Sequence, residues 1–266
     1  REHARVPQPD GITFGRCRSE HRAAMGEFSA DLFNGRPYQV GNETVETLGG
    51  CVLSRLVVVS NRVMLPTLAR KESTGGLAVA VLDALKQHSG IWCGWSGNLV
   101  VGEPPDINIL DCGNITYATL DLPEADYDQF YNGYSNRALW PLFHYRLDLV
   151  EYSRKNYEGY MRVNDRFAEQ LQPLLHEDDI VWVHDYHFIP LARELRQRRC
   201  RHRMGFFLHI PWPSKEVLTA LPDHLELVEA LLEFDVIGFQ TKSYVLTFLD
   251  YVCLLYTSPS PRDSIR

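Results

Sequence analysis

Four short polar clusters each follow directly on a run of apolar residues, and they hold the side chains best suited to chemistry. Between them they offer a guanidinium, imidazoles, a carboxylate and amides, which can bind phosphate groups or sugar hydroxyls. If the apolar runs are parallel strands, the clusters meet at the sheet edge where open α/β proteins bind ligands. The clusters are Ser60-Asn61-Arg62, His184-Asp185-Tyr186-His187, His209-Ile210-Pro211-Trp212-Pro213 and Gly238-Phe239-Gln240-Thr241.

Two features of the sequence are suited to an anion. Arg62 offers a planar fork of donors that fits phosphate, although a surface ion pair is an equally ordinary role for it. Gly75-Gly76 opens a helical pattern whose first N–H groups could face an anion, and a plain turn is the alternative. The sequence contains no G-x-x-x-x-G-K-[ST] pattern, which disfavours a P-loop nucleotidase.

Two patterns could be interpreted as metal sites. His184-Asp185-x-His187 has the residue types of a two-histidine, one-carboxylate site, but Asp185 fits equally well as an acceptor for sugar hydroxyls. Asp126-x-Asp128 lies in an acidic stretch that is typical of the solvated start of a helix. We therefore predict no metal site and no cofactor.

One segment is dense in aromatic residues whose rings carry polar edges. Such rings suit sugar faces and hydroxyls, but core packing is the more ordinary role, and we expect most of these rings to be core. The segment contains Tyr131, Tyr134, Trp140, Phe143, His144 and Tyr145.

The elements that must position these residues alternate between strand and helix patterns. Apolar runs predict strands at 56–59, 91–95, 115–120, 180–183, 204–209 and 236–239. Helical spacing follows Gly76 and recurs at about 160–174, 189–198, 225–232 and 242–251. Alternation at this spacing predicts parallel pairing, and hence an α/β fold with a doubly wound, mostly parallel, Rossmann-like sheet.

The composition disfavours several classes of binding partner. The formal net charge of −7 disfavours nucleic acid and anionic membrane surfaces. No apolar run reaches the roughly 18 residues of a membrane span. The six cysteines are scattered without a C-x-x-C pair, which favours a cytoplasmic protein without disulfides. The sequence does not decide whether the protein forms a homo-oligomer.

Both ends of the chain differ from its middle in residue composition and in apolar patterning. Residues 1–53 are polar and turn-rich, and we expect a loosely ordered or mis-annotated extension. Residues 253–266 contain a Pro/Ser-rich stretch that abruptly ends a helix pattern, so we expect an artefactual tail, a natural linker being the alternative. Residues 54–252 then form a single domain.

Seven motifs, in order along residues 54–252, resemble the trehalose-6-phosphate synthases of glycosyltransferase family 20. One of them alone would be weak, but seven in order are highly specific. They are Arg55-Leu56-Val57-Val58-Val59-Ser60-Asn61-Arg62, Gly75-Gly76-Leu77-Ala78, Trp92-x-Gly94-Trp95-Ser96-Gly97, Tyr131-Asn132-x-x-Ser135-Asn136-x-x-Leu139-Trp140-Pro141, Phe143-His144-Tyr145-Arg146, Trp182-Val183-His184-Asp185-Tyr186-His187 and Gly205-Phe206-Phe207-Leu208-His209-Ile210-Pro211.

The resemblance implies the acceptor-binding domain of a two-domain glycosyltransferase-B fold. It implies transfer of glucose from UDP-glucose to glucose 6-phosphate with retention, without a metal and without a protein nucleophile. By motif, Arg62 would bind the acceptor phosphate, and Tyr131, Trp140 and Asp185 would line the acceptor pocket. Gly76 and Trp95 would lie near the donor. His209 would contact the donor glucose, so that His209 and Asp185 would be the catalytic pair.

The resemblance also implies that further donor-binding residues belong to a second domain, which would follow residue 252. We therefore expect the 266-residue chain alone to lack synthase activity. Two alternatives stay open: a synthase-like regulatory subunit without turnover, and another glycosyltransferase-B enzyme such as a glycogen synthase. The choice among UDP, GDP and ADP donors is not readable from these residues.

Overall fold

The computed structural model describes residues 54–65, 81–85 and 89–257, and side chains as far as Cys253. Within them lies a seven-stranded sheet with the strand order β3-β4-β2-β1-β5-β6-β7. All neighbouring strands pair in parallel except β3 and β4. The strands are β1 (Leu56–Arg62), β2 (Gly90–Val100), β3 (Asn108–Cys112), β4 (Ile115–Pro123), β5 (Ile180–His184), β6 (Arg203–Leu208) and β7 (Val236–Phe239). The predicted doubly wound, mostly parallel sheet is confirmed.

Helices connect the strands except from β2 to β3 and from β3 to β4, and residues 81–85 are helical between β1 and β2. A π-helical segment spans Asp128–Leu139. The α-helices are α1 (Glu124–Tyr127), α2 (Trp140–Phe143), α3 (Arg154–Leu171), α4 (Leu191–Gln197), α5 (Lys215–Leu218), α6 (His224–Leu231) and α7 (Lys242–Thr257). The last helix continues six residues beyond the predicted end at 251.

The core lies on both faces of the sheet, as the unalternating apolar runs predict. Along β1, Val57 and Val59 pack into one cluster, together with the inner face of α3. Leu56 and Val58 pack into a second cluster on the opposite face, with Trp92 and Trp182. All four β1 side chains are fully buried, because a strand covered on both faces has no solvent side.

The antiparallel edge strand β3 was not predicted. Its five residues, Asn108–Cys112, are all exposed, so no buried face imposes a period on their sequence. Within the part of the chain that the structure describes, no helix is long and apolar enough to cross a membrane.

Gly90 allows β1 and β2 to approach each other closely, and replacing it should be costly. A Cβ on Gly90 would lie 1.9 Å from the Leu56 carbonyl oxygen. Because that atom is strand backbone, we expect Gly90→Ala to lower the free energy of unfolding by about 3 kcal/mol, measured by urea denaturation.

A matched control is Gly113→Ala, whose Cβ would meet no atom within 4 Å. Gly113 has a φ of +63°, so its replacement carries only the cost of a left-handed backbone, about 1 kcal/mol. Equal losses in the two variants would refute a specific clash at Gly90.

Candidate functional site

The carboxyl ends of the parallel strands form one edge of the sheet, and the predicted clusters lie there. The chain runs outward from β1 to β2 and then returns to place β5 on the other side of β1. Ligands of open α/β sheets bind at such a point of reversal. Arg62 ends β1, Asp185 follows β5 and His209 follows β6.

Arg62 lies over an aromatic surface. Its guanidinium carbon is 5.8 Å from the centre of the Trp95 ring, and its nitrogens also lie against Gly97, where a Cβ would approach them to 3.1 Å. The Trp95 ring in turn contacts Tyr127 at 4.8 Å and Tyr131 at 6.4 Å between centroids. Since the Arg62 side chain is exposed, the stacked guanidinium is oriented while remaining accessible to a ligand.

Tyr131 joins this aromatic group to the loop after β5. Its ring stacks on His187, with 5.6 Å between centroids and 13° between planes. His187 is buried and also contacts Tyr186 at 4.1 Å. Burial lowers the pKa of His187 to about 3, so this imidazole stays neutral at physiological pH.

Side chains of helix α3 hold the backbone of the loop after β5. The Tyr160 hydroxyl donates to the Tyr186 carbonyl at 2.6 Å, and the Asn164 amide donates to the His187 carbonyl at 3.1 Å. The Tyr186 hydroxyl donates to Asn136 in the π-helical segment at 2.9 Å. The loop is therefore held from two elements, which keeps Asp185 in place.

Asp185 has an unusual backbone conformation and a perturbed carboxyl. Its φ of 73° and ψ of 166° lie in a region that only glycine adopts readily, which is a strain typical of functional sites. One carboxylate oxygen accepts the N–H of Tyr186 at 3.1 Å and that of His209 at 3.3 Å. Burial raises the pKa of Asp185 to about 6, and these two hydrogen bonds oppose the rise.

His209 is fixed through both its ring and its backbone. Its Nε2 lies 2.9 Å from Nδ1 of His184, its N–H donates to Asp185, and its carbonyl accepts the Gln240 side-chain amide. Burial, and then the neighbouring His209, lower the pKa of His184 well below its usual value. The Asp185 carboxylate thus holds the backbone of His209, while His184 holds its ring.

The predicted site residues fall into two linked groups. Arg62, Trp95 and Tyr131 form one, Asp185 and His209 the other, and the loop at Tyr186 and His187 joins them. Trp95, predicted near the donor, packs against the two residues predicted to hold the acceptor.

Two predicted site residues are not joined to these groups. The Trp140 ring is 41% exposed and stacks on His144 at 4.1 Å; among the described contacts, none links that ring to Tyr131 or Asp185. Gly76 lies outside the described residues. Of the aromatic segment, Tyr134 and Phe143 are buried while Trp140 and Tyr145 are exposed, so that segment is only partly core.

From the sequence, Gln240 and Tyr127 had no predicted role, and His184 was considered only as a metal ligand. His184 and Gln240 stand in the polar clusters after strands, which was a usable signal. Tyr127 lies four residues before Tyr131, a helical spacing that places both rings on one side, where they stack at 5.3 Å.

The two patterns considered as metal sites have other contacts. Among the residues that the structure describes, no group of three His, Cys, Asp or Glu side chains could hold a metal ion. His184 pairs with His209 while His187 lies in the aromatic stack. Asp126 pairs with Arg162 of α3.

This arrangement can bind a phosphorylated polyol. A cation at the end of β1 suits a phosphate, tyrosine rings suit a sugar face, and a buried carboxylate suits hydroxyl donors. The imidazole of His209, whose backbone N–H that carboxylate accepts, can donate to or accept from a second group at the same edge.

Comparison with known proteins gives concordant matches. The model of glycosyltransferase family 20 matches residues 54–263. A trehalose-6-phosphate synthase of Klebsiella pneumoniae is 50% identical over 202 residues, which cover 76% of this chain and 42% of that protein.

Two solved structures are similar over a comparable share of the chain. One is a UDP-forming α,α-trehalose-phosphate synthase from Burkholderia xenovorans in complex with glucose-6-phosphate, with a TM-score of 0.70, 52% identity and coverage of 75% of this chain and 43% of that one. The other, from E. coli, is bound with UDP-2-fluoro glucose, with a TM-score of 0.70, 49% identity and coverage of 76% and 43%. The chain spans less than half the length of these relatives.

Proposed function

This chain belongs to glycosyltransferase family 20, and on that premise we propose that it is the acceptor-binding part of a retaining transferase. The reaction is the transfer of glucose from UDP-glucose to glucose 6-phosphate, giving trehalose 6-phosphate. The observation that carries the proposal is the oriented guanidinium of Arg62, stacked on Trp95 beside Tyr131, at the same sheet edge as Asp185. Relatives bound with glucose-6-phosphate and with a UDP-glucose analogue support this choice of substrates.

In this proposal Arg62 binds the acceptor's phosphate, and Tyr131, Trp140 and Asp185 line the acceptor sugar. Trp140 reaches the sugar from its exposed position at the start of α2. Asp185 accepts hydroxyl hydrogens, which a charged carboxylate does more strongly than a neutral amide.

The donor side consists of Gly76, Trp95 and His209. The acceptor hydroxyl attacks the donor sugar on the face from which the diphosphate leaves, and no protein nucleophile takes part. His209 and Asp185 act by orienting the reacting groups and by stabilising developing charge, and neither forms a covalent bond. Other donor contacts come from sequence beyond the 42–44% of the relatives that this chain matches, so we propose that these 266 residues alone transfer no glucose.

Isothermal titration of the purified chain tests the proposal. We expect glucose 6-phosphate to bind at least about 30-fold more tightly than glucose, because the phosphate adds a charge-assisted contact worth roughly 2–3 kcal/mol. With UDP-glucose added, we expect no trehalose 6-phosphate. Equal affinity for glucose and glucose 6-phosphate would contradict the acceptor assignment, and turnover would contradict the need for further sequence.

A further inference from the structure

The ring of His209 is held by a second imidazole that has no part in the proposed reaction. His184 ends β5, is fully buried, and packs against Trp182 with 4.5 Å between ring centroids. Its Nδ1 lies 2.9 Å from Nε2 of His209. A contact of this length is a hydrogen bond, so one of the two nitrogens carries a hydrogen and the other accepts it.

The two rings of this pair cannot both be protonated, and His184 is the ring that stays neutral. Burial and the neighbouring imidazole keep the pKa of His184 well below its usual value, so His184 remains neutral. A neutral imidazole has one N–H, on either Nδ1 or Nε2. The question is therefore which nitrogen of His184 carries it.

The surroundings of His184 decide this. Its Nε2 is buried and, among the described residues, has no hydrogen-bond partner. Within the part of the chain that the structure describes, a hydrogen on Nε2 would be a buried donor without an acceptor, which native proteins avoid more strictly than a buried lone pair. The hydrogen therefore belongs on Nδ1, where His209 accepts it.

We propose that His184 is a positioning residue that fixes His209 in the tautomer with its hydrogen on Nδ1. Since Nε2 of His209 accepts from His184, the neutral ring must carry its own hydrogen on Nδ1. Asp185 and Gln240 hold the backbone of His209 at the same time. The ring thus presents an N–H donor in a fixed orientation, suited to an oxygen of the donor sugar or its diphosphate; this last step rests on the proposed function.

Nuclear magnetic resonance of the chain labelled with 15N-histidine tests the proposal directly. Long-range 1H–15N spectra at neutral pH distinguish protonated from unprotonated ring nitrogens. In the unmodified chain we expect His209 to show the Nδ1–H pattern. His184→Asn places an amide nitrogen near the position of Nδ1 and should keep that pattern, whereas His184→Phe should shift it toward the Nε2–H form.

His187→Phe is the matched control, because it removes another buried imidazole of the same loop and leaves an aromatic ring in the stack. It should leave the His209 pattern unchanged. An Nε2–H pattern in the unmodified chain overturns the proposal, as does an Nδ1–H pattern that survives in folded His184→Phe. If the phenylalanine variant does not fold, the unmodified chain and His184→Asn must both show Nδ1–H, and Nε2–H in either overturns it.

The spectra require neither turnover nor a bound sugar. Failure of glucose 6-phosphate to bind would therefore remove the proposed function and leave the tautomer of His209 standing. Conversely, a wrong tautomer would leave the acceptor assignment intact.

Discussion

Arg62→Ala is expected to weaken glucose 6-phosphate binding about 30- to 140-fold. The guanidinium is the only side-chain cation among the site residues that the structure brings together, and it is oriented by the Trp95 ring. Loss of a charge-assisted phosphate contact costs roughly 2–3 kcal/mol, and each 1.4 kcal/mol corresponds to tenfold. Titration calorimetry measures the change directly, and glucose affinity should stay the same.

Two further variants separate this effect from general electrostatics. Arg62→Lys keeps the charge but loses the planar fork and the stacking on Trp95, so about a tenfold loss is expected. Arg201→Ala removes an exposed arginine just before β6, at the opposite edge of the sheet, and should leave affinity unchanged. An Arg62→Ala chain that binds as tightly as the unmodified chain would place the phosphate elsewhere.

Much of the sheet could be predicted because its central strands are buried on both faces. The run Leu56-Val57-Val58-Val59 has no polar position to allow a helix face or a half-exposed strand. The edge strand β3 carries no such constraint, since all its residues are exposed. Prediction was therefore best where burial leaves the fewest residue choices.

The candidate site was predicted as a set of strand ends, but its internal contacts were not. His184 pairs with Phe207 across β5 and β6, and this register brings the ring of His209, two residues further along, next to it. Spacing along the chain does not specify that register. The positive φ of Asp185 is likewise imposed by tertiary contacts, because aspartate adopts many conformations after a strand.

The second large effect is expected on replacing Asp185: the folded state should become more stable while glucose 6-phosphate binds more weakly. Burial raises the pKa of its carboxyl from 3.8 to about 6, with two backbone N–H groups opposing the rise. An acid with a raised pKa in the folded state favours folding only while it is protonated. The stability that the protonated Asp185 carboxyl gives to the folded state is fully present below about pH 4, and it is lost as the pH rises to about 6.

Asp185→Asn should remove this pH dependence. The amide cannot ionise, and its oxygen can still accept from Tyr186 and His209. A pKa difference of about two units corresponds to roughly 3 kcal/mol, so the variant should be more stable by about that amount above pH 6 and similar to the unmodified chain at pH 4. Urea denaturation at both pH values measures the difference.

The same substitution should weaken glucose 6-phosphate binding about tenfold, because a neutral amide accepts sugar hydroxyls less strongly than a carboxylate. Asp178→Asn, at an exposed aspartate before β5, should change stability by less than about 0.5 kcal/mol and leave binding unchanged. Greater stability together with undiminished binding would mean that the strained, buried Asp185 serves only to hold the loop after β5. Weaker binding in the more stable variant would mean that the charged Asp185 carboxylate lowers folding stability at neutral pH but is needed to bind the acceptor.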